Sequence, residues 1–269
     1  MEIVAKISKG SKMDQIYIPK NRIGLNVGSY VLVKSIEQIN KKIEKPYFYN
    51  VSSIGSVKME VVNEIFDFVA KEIGECENVI ITGSFVDEGF GFNDVDVLIV
   101  SSKKINEEIV RKKLAREIGI ETHVILLDNK SLIEGMATDP IYQMMLSKCI
   151  ARKRFVYKTL RKINYRILDL HLLKSRVLID SFDALDGNEK YDLVRNMIAI
   201  YLFLFGKKVG RREVDNEIKK IFRLKNAGEI RLNMLDKKNF LKKYQKIYFD
   251  SFNKILKEVK HGAKSKEVS

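Results

Sequence analysis

Val79-Ile-Ile-Thr-Gly-Ser-Phe-Val-Asp-Glu-Gly-Phe-Gly-Phe-Asn-Asp-Val-Asp-Val-Leu-Ile-Val100 reads as two strands joined by a glycine-rich loop. The β-branched run 78–82 ends at Gly83-Ser84, and a second run, Val95–Val100, follows Asp94-Val95-Asp96. Side chains at i and i+2 leave a strand on the same face, so Asp94 and Asp96 project together at a strand end. Two carboxylates that close raise one another's pKa unless a cation lies between them. Oxygen-only ligands without a histidine pair, serving a polyphosphate, point to Mg²⁺ or Mn²⁺. Gly83 leaves room for a phosphate against the backbone, and the Ser84 hydroxyl with nearby N–H groups can hold phosphate oxygens.

Outward from this stretch, the pattern predicts a helix over Val57–Ile73, with Val61, Ile65, Phe68, Val69 and Ile73 at helical spacing. A charged helix is expected over Asn106–Ile118 and a third strand over Thr122–Leu127. Helix, strand, loop, strand, helix, strand is an α/β (α+β) plan around a small mixed sheet. Residues 1–45 read as a small β-hairpin module with strands at Ile3–Ile7, Gln15–Ile18 and Tyr30–Val33, ending in a charged linker, Gln38–Lys45. It is too small to hold a core alone, so it should pack on the rest or form a homodimer. Strand signal is almost absent after Asp139. Helices are expected at Pro140–Ile150, Val156–Ile179, Tyr191–Phe205, Val214–Phe222 and Phe240–Val259, with Gly187 and Gly206 as breaks. The domains read as 1–45, 46–135 and an all-helical 136–262, with a flexible tail over 263–269.

The chain of 269 residues carries a formal charge of +14, which suggests an anionic partner such as nucleic acid. Its two cysteines, Cys76 and Cys149, stand far apart and form no CxxC pair, which argues against a thiolate metal site or a disulfide framework. Met1-Glu-Ile-Val-Ala-Lys6 is neither a signal nor a transit sequence, and the apolar run Met197–Phe205 is too short to cross a bilayer. A cytoplasmic protein without membrane partners is expected.

Gly83-Ser84, nine further residues and then Asp94-Val95-Asp96 with a hydrophobic strand resemble the signature of the DNA polymerase β-like nucleotidyltransferases, over residues 58–130. That superfamily includes polynucleotide adenylyltransferases, CCA-adding enzymes, antibiotic nucleotidyltransferases and minimal nucleotidyltransferases of toxin–antitoxin pairs. The resemblance implies a third acid on a later strand, for which Glu121 is the candidate. It also implies that Asp94, Asp96 and Glu121 are catalytic and hold Mg²⁺ or Mn²⁺, while Gly83 and Ser84 bind the nucleotide of an NTP substrate, such as ATP. Two departures stand out: Glu121 replaces the commoner Asp, and Asn93 stands where many members have Ser. His123 shares the Glu121 face and reads as a half-buried strand histidine.

Residues 3–36 resemble an AbrB-like swapped hairpin through Gln15-Ile-Tyr-Ile-Pro-Lys20 and Gly28-Ser-Tyr-Val-Leu-Val33, though Ser29 stands where an acid is usual. In such a module Lys6, Lys9 and Lys12 are candidate nucleic-acid contacts. Between Arg152 and Arg176 nine cations face one acid, Asp169. On a helix, Arg154, Lys158, Arg161 and Tyr165 form one stripe suited to a phosphate backbone, RNA ahead of DNA. Arg166-Ile-Leu-Asp-Leu-His171 has the bare Arg-x4-His spacing of HEPN ribonucleases, but Ile167 departs from their pattern and coincidence accounts for it. The leading expectation is therefore an enzyme moving a nucleoside monophosphate to a hydroxyl on RNA or DNA. The alternatives are a degenerate nucleic-acid-binding regulator and an antitoxin-type enzyme modifying a partner protein.

Overall fold

In the computed structural model, which describes residues 7–18, 45–156 and 160–264, the apolar stripe of residues 57–73 lies along helix α1 (Ser56–Glu72). Val62, Ile65, Phe66 and Val69 are buried on its inner face. It leads to β4 (Asn78–Thr82), buried throughout, and then to β5 (Asp94–Val100), α2 (Glu107–Ile118) and β6 (Glu121–Leu127). Asn106 starts α2 as its N-cap, its side chain accepting from the Ile109 N–H at 3.1 Å. The strand order is β3-β7-β4-β5-β6, with β3 at Tyr47–Tyr49 and β7 at Cys149–Ala151. β5 and β6 run parallel and every other pair is antiparallel, so the chain is mixed α/β with a mixed five-stranded sheet.

The period-two pattern divides the sheet's two faces. Val79, Ile81, Val95, Val97, Ile99 and Val124 join the core shared with α1 and α2. Ile80, Leu98 and Val100 face the other way, against Leu132 of α3 (Asn129–Thr138) and Leu146 of α4 (Pro140–Leu146). Asp94 and Asp96 lie on this second face, in line with Leu98 and Val100, at the strand's open end.

The strand β7 corrects the expected helix over Pro140–Ile150, because the helix stops at Leu146. Ile150 fills one core while Cys149 and Ala151 fill the other, an alternation too short to register as a strand period. The strand β3 was also not foreseen. It is fixed by Tyr49, whose hydroxyl donates to the Phe155 carbonyl at 2.7 Å and accepts from the Phe155 N–H.

Beyond the sheet, α5 (Tyr165–Asp180) starts at its N-cap Asn164, not at Val156 as expected. Helix α6 (Gly187–Leu204) runs through the helical core, with Val194, Met197, Ile198 and Phe203 buried. Around it stand α5, α7 (Arg211–Phe222), the short α8 (Gly228–Arg231) and the long α9 (Lys237–Lys264). Gly187, expected as a break, begins α6, where the Arg231 backbone leaves no room for a Cβ.

Compact units form at residues 1–43 and 44–269. In the first, β1 (Ile7–Ser8) pairs antiparallel with β2 (Gln15–Ile16), and Lys9 and Lys12 lie exposed in the turn between them. The expected strand at Tyr30–Val33, most of that at Ile3–Ile7, Lys6, the linker up to Glu44 and the tail after Lys264 lie outside the described residues. No helix among the described residues is long and apolar enough to cross a membrane.

Candidate functional site

Sheet register brings the signature residues together. Asp96 pairs with Thr82 on β4 and with His123 on β6, while Asp94 stands beside Glu121. These four, Asp94, Asp96, Glu121 and His123, therefore share one face at one end of the sheet. A carboxylate can only accept, so the His123 Nδ1 3.1 Å from Asp96 Oδ1 carries the proton. The imidazole is 62% exposed, which corrects the half-buried reading. Among the described residues no three His, Cys, Asp or Glu side chains converge to cage a metal ion. Two carboxylates with room for solvent and phosphate oxygens still fit Mg²⁺, which binds through one or two carboxylates plus substrate phosphates.

Burial first, and then the Asp96 carboxylate, push the Asp94 pKa above its ordinary value; Asp192 on α6 adds to this, and His123 opposes it. A raised folded-state pKa means stability is lost as pH rises through the window between the unfolded value, about 3.9, and the folded one. Asp94→Asn removes that cost. Its apo melting temperature at pH 7 should equal or exceed the parent's, with the gap closing below about pH 4. A variant clearly less stable at pH 7 would contradict the electrostatic account.

Between β4 and β5 the loop is held from below. A 3₁₀ turn over Ser84–Val86 follows Gly83, and the buried Lys58 of α1 donates from Nζ to the carbonyls of Phe85 and Asp87, both at 2.8 Å. The same ammonium lies over the Phe92 ring, 4.8 Å from its centroid. The Asp87 carboxylate then receives Lys148 Nζ at 2.7 Å and Arg211 Nη1 at 2.9 Å. This node opens onto a cavity of about 710 Å³ whose walls include Ser84, Lys148, Arg195, Arg211, Lys219 and Arg231. Asp94 and Asp96 do not line it, but Ser84 does, one residue beyond the glycine packed against Asp96. The arrangement sets a cationic cavity beside a pair of carboxylates, as binding a polyphosphate and a divalent cation side by side requires.

Lys148, Arg195 and Arg211 went unnoticed in the sequence. They stand far apart along the chain with no mutual spacing: Lys148 lies between α4 and β7, Arg195 on α6 and Arg211 on α7, and only the packing of these elements brings them to one cavity.

The basic stripe at Arg154, Lys158 and Arg161 is corrected. Arg154 is exposed beyond β7 and Arg161 precedes α5, so no helix carries these two, while Lys158 lies outside the described residues. Arg161 instead donates to the carbonyls of Phe203 at 2.9 Å and Lys207 at 2.6 Å, closing the C-terminal end of α6. Arg161→Ala should cost about 1–2 kcal/mol in urea unfolding while leaving nucleic-acid affinity within about twofold. Unchanged stability with a marked loss of affinity would restore the stripe. His171 Nε2 lies 3.0 Å from Asp139 Oδ1, at the N-cap of α4.

Compared with protein families, with curated proteins and with solved structures, the chain matches none.

Proposed function

We propose that this chain is a metal-dependent nucleotidyltransferase, moving a nucleoside monophosphate from an NTP to a hydroxyl on a polyanion such as RNA. The single observation that carries the reading is the pairing of Asp94 and Asp96 on one sheet face beside Gly83-Ser84 and a cationic cavity. Ser84 and the cavity cations Lys148 and Arg211 bind the triphosphate, which orients its α-phosphorus toward the carboxylates. Asp94 and Asp96 would hold the divalent cation, and Glu121, which stands beside Asp94 in register without converging on the pair, would have to turn toward them to serve the acceptor side. When bound, that cation supplies neutralisation of developing phosphate charge and a lowered pKa for the acceptor hydroxyl. The net charge of +14 supports a polyanionic acceptor.

The test is incubation with each α-labelled NTP, Mg²⁺ or Mn²⁺ and total cellular RNA. Label on RNA is expected. Label on protein instead would transfer the reading to a protein-modifying enzyme, and no label under any condition would leave a binding regulator. In the active assay, Glu121→Gln should lower kcat by at least about tenfold with little change in KM, since the triphosphate side keeps Asp94 and Asp96. Normal turnover would place the third ligand elsewhere.

A further inference from the structure

Helix α9 is basic where it meets solvent. Between Lys237 and Val259 it holds seven lysines against two acids, Asp250 and Glu258, so most of its cations have no acid to meet on their own helix. Lys237 pairs with Asp183, Lys254 with Glu258, and Lys243 donates to the Phe222 carbonyl at 3.2 Å. Lys238, Lys242 and Lys246 are exposed and have no acidic partner among the described residues. They recur every four residues, a spacing at which like charges destabilise a helix. Lys238 also stands in a first turn that has no acid, against the helix dipole. Elsewhere the chain fills the same spacing with opposite charges: Lys112 with Glu108, Arg176 with Asp180 and Lys254 with Glu258. The unpaired file therefore costs stability in the free chain, and an anion lying along it removes that cost.

Geometry selects the anion. At 3.6 residues per turn, Lys238, Phe249, Lys242 and Lys246 fall within about 80° of the helix circumference, roughly opposite the buried Phe240, Tyr244 and Ile247. Successive lysines are about 6 Å apart along the axis, a step that the phosphates of a nucleic-acid strand can follow. Phe249, 54% exposed, continues the file, its ring braced edge-on against Tyr248 with centroids 5.5 Å apart. A braced, exposed ring beside a row of cations is a platform for an unpaired base, which a duplex does not offer. A lipid surface calls instead for an apolar strip with lysines along its margins, whereas here Lys242 stands in the middle of the file. Helix α7 joins the file to the cavity, since Lys219 lines the cavity and Phe222, at the end of that helix, receives Lys243 of α9.

We propose that the outer face of α9 binds single-stranded nucleic acid, with Lys238, Lys242 and Lys246 on the phosphates and Phe249 stacked on a base. The inference rests on the proposed function only in making this strand the acceptor. The binding itself needs neither NTP nor metal.

The test measures fluorescence anisotropy of a labelled oligouridylate of about 12 nucleotides against the full chain, with EDTA and without NTP, over a range of salt. Combined Lys238→Gln, Lys242→Gln and Lys246→Gln should weaken binding at least about tenfold and reduce the slope of log affinity against log salt by about 2. Its melting temperature should equal or exceed the parent's, because like charges have been removed. Lys104→Gln, Lys130→Gln and Lys225→Gln together remove the same charge from exposed positions elsewhere, and should leave the slope nearly unchanged. Phe249→Ala should lower affinity about tenfold with the slope intact, which separates stacking from charge. Equal losses in the two lysine variants, or no binding by the parent, would overturn the proposal. So would oligouridylate binding that survives in the α9 variant while binding to phosphatidylserine vesicles is lost, which would give the face to a membrane. Strand binding that behaves as expected in a chain that transfers no label would keep this inference and remove the catalytic reading.

Discussion

Under the proposed function, Asp96→Asn should lower nucleotidyl transfer by about 10³-fold or more, with an unchanged far-ultraviolet spectrum. The size follows from position: Asp96 stands between Thr82 and His123 on the face that Asp94 shares, and it is the carboxylate closest to the Gly83 backbone. Under the proposed function, removing one negative charge would weaken the hold on a divalent cation, a loss of several kcal/mol that would fall on the reacting state. It does not disturb the core, which is made by Leu98 and Val100 further along the strand. Asp94→Asn should act in the same direction. Steady-state kinetics with labelled NTP checks both, and a variant within threefold or so of the parent would end the two-carboxylate mechanism.

Gly83→Ala should reduce both stability and activity, for a reason visible only in three dimensions. Gly83 has φ +80° and ψ −163°, a region essentially closed to L side chains at a cost of about 1–3 kcal/mol. A Cβ there also falls inside the van der Waals radius of Asp96 Oδ2. The carboxylate must move, so the melting temperature should drop by about 5 °C and transfer should fall at least tenfold. Gly91→Ala makes the contrast, since a Cβ there meets open space at an ordinary φ. It should leave both quantities unchanged. Equal behaviour of the two variants in melting and kinetic measurements would mean that the Gly83 conformation is not what holds Asp96 in place.

The part of the architecture that could be read from the sequence is the part with local periodicity. α1 and α2 follow from amphipathic spacing, β4 and β5 from β-branched runs, and the shared face of Asp94 and Asp96 from strand geometry alone. From the sequence Gly83 reads as room for a phosphate, whereas its structural demand comes from Asp96 on the next strand. The short strands β3 and β7 escaped because three residues carry no period, and their pairing joins positions about a hundred residues apart. The cationic cavity escaped for the same reason at larger scale: Lys148, Arg195 and Arg211 become neighbours only through helix packing. Conversely, the basic run 152–176 gives no helical stripe among its described residues. Arg161 is turned inward onto carbonyl groups, a use of charge that composition cannot distinguish from a solvated face.

The bridge from Lys148 and Arg211 to Asp87 makes the loop and the cavity draw on one reservoir of positive charge. A polyanion entering the cavity competes with Asp87 for those two cations, so occupancy and loop order are thermodynamically linked. What then keeps Gly83–Asp87 in register is Lys58, whose partners are backbone carbonyls and aromatic rings, groups with no net charge for a ligand to titrate away. The loop therefore has one tether that yields to the ligand and one that does not, which confines any ligand-driven rearrangement to the side of the loop facing α7.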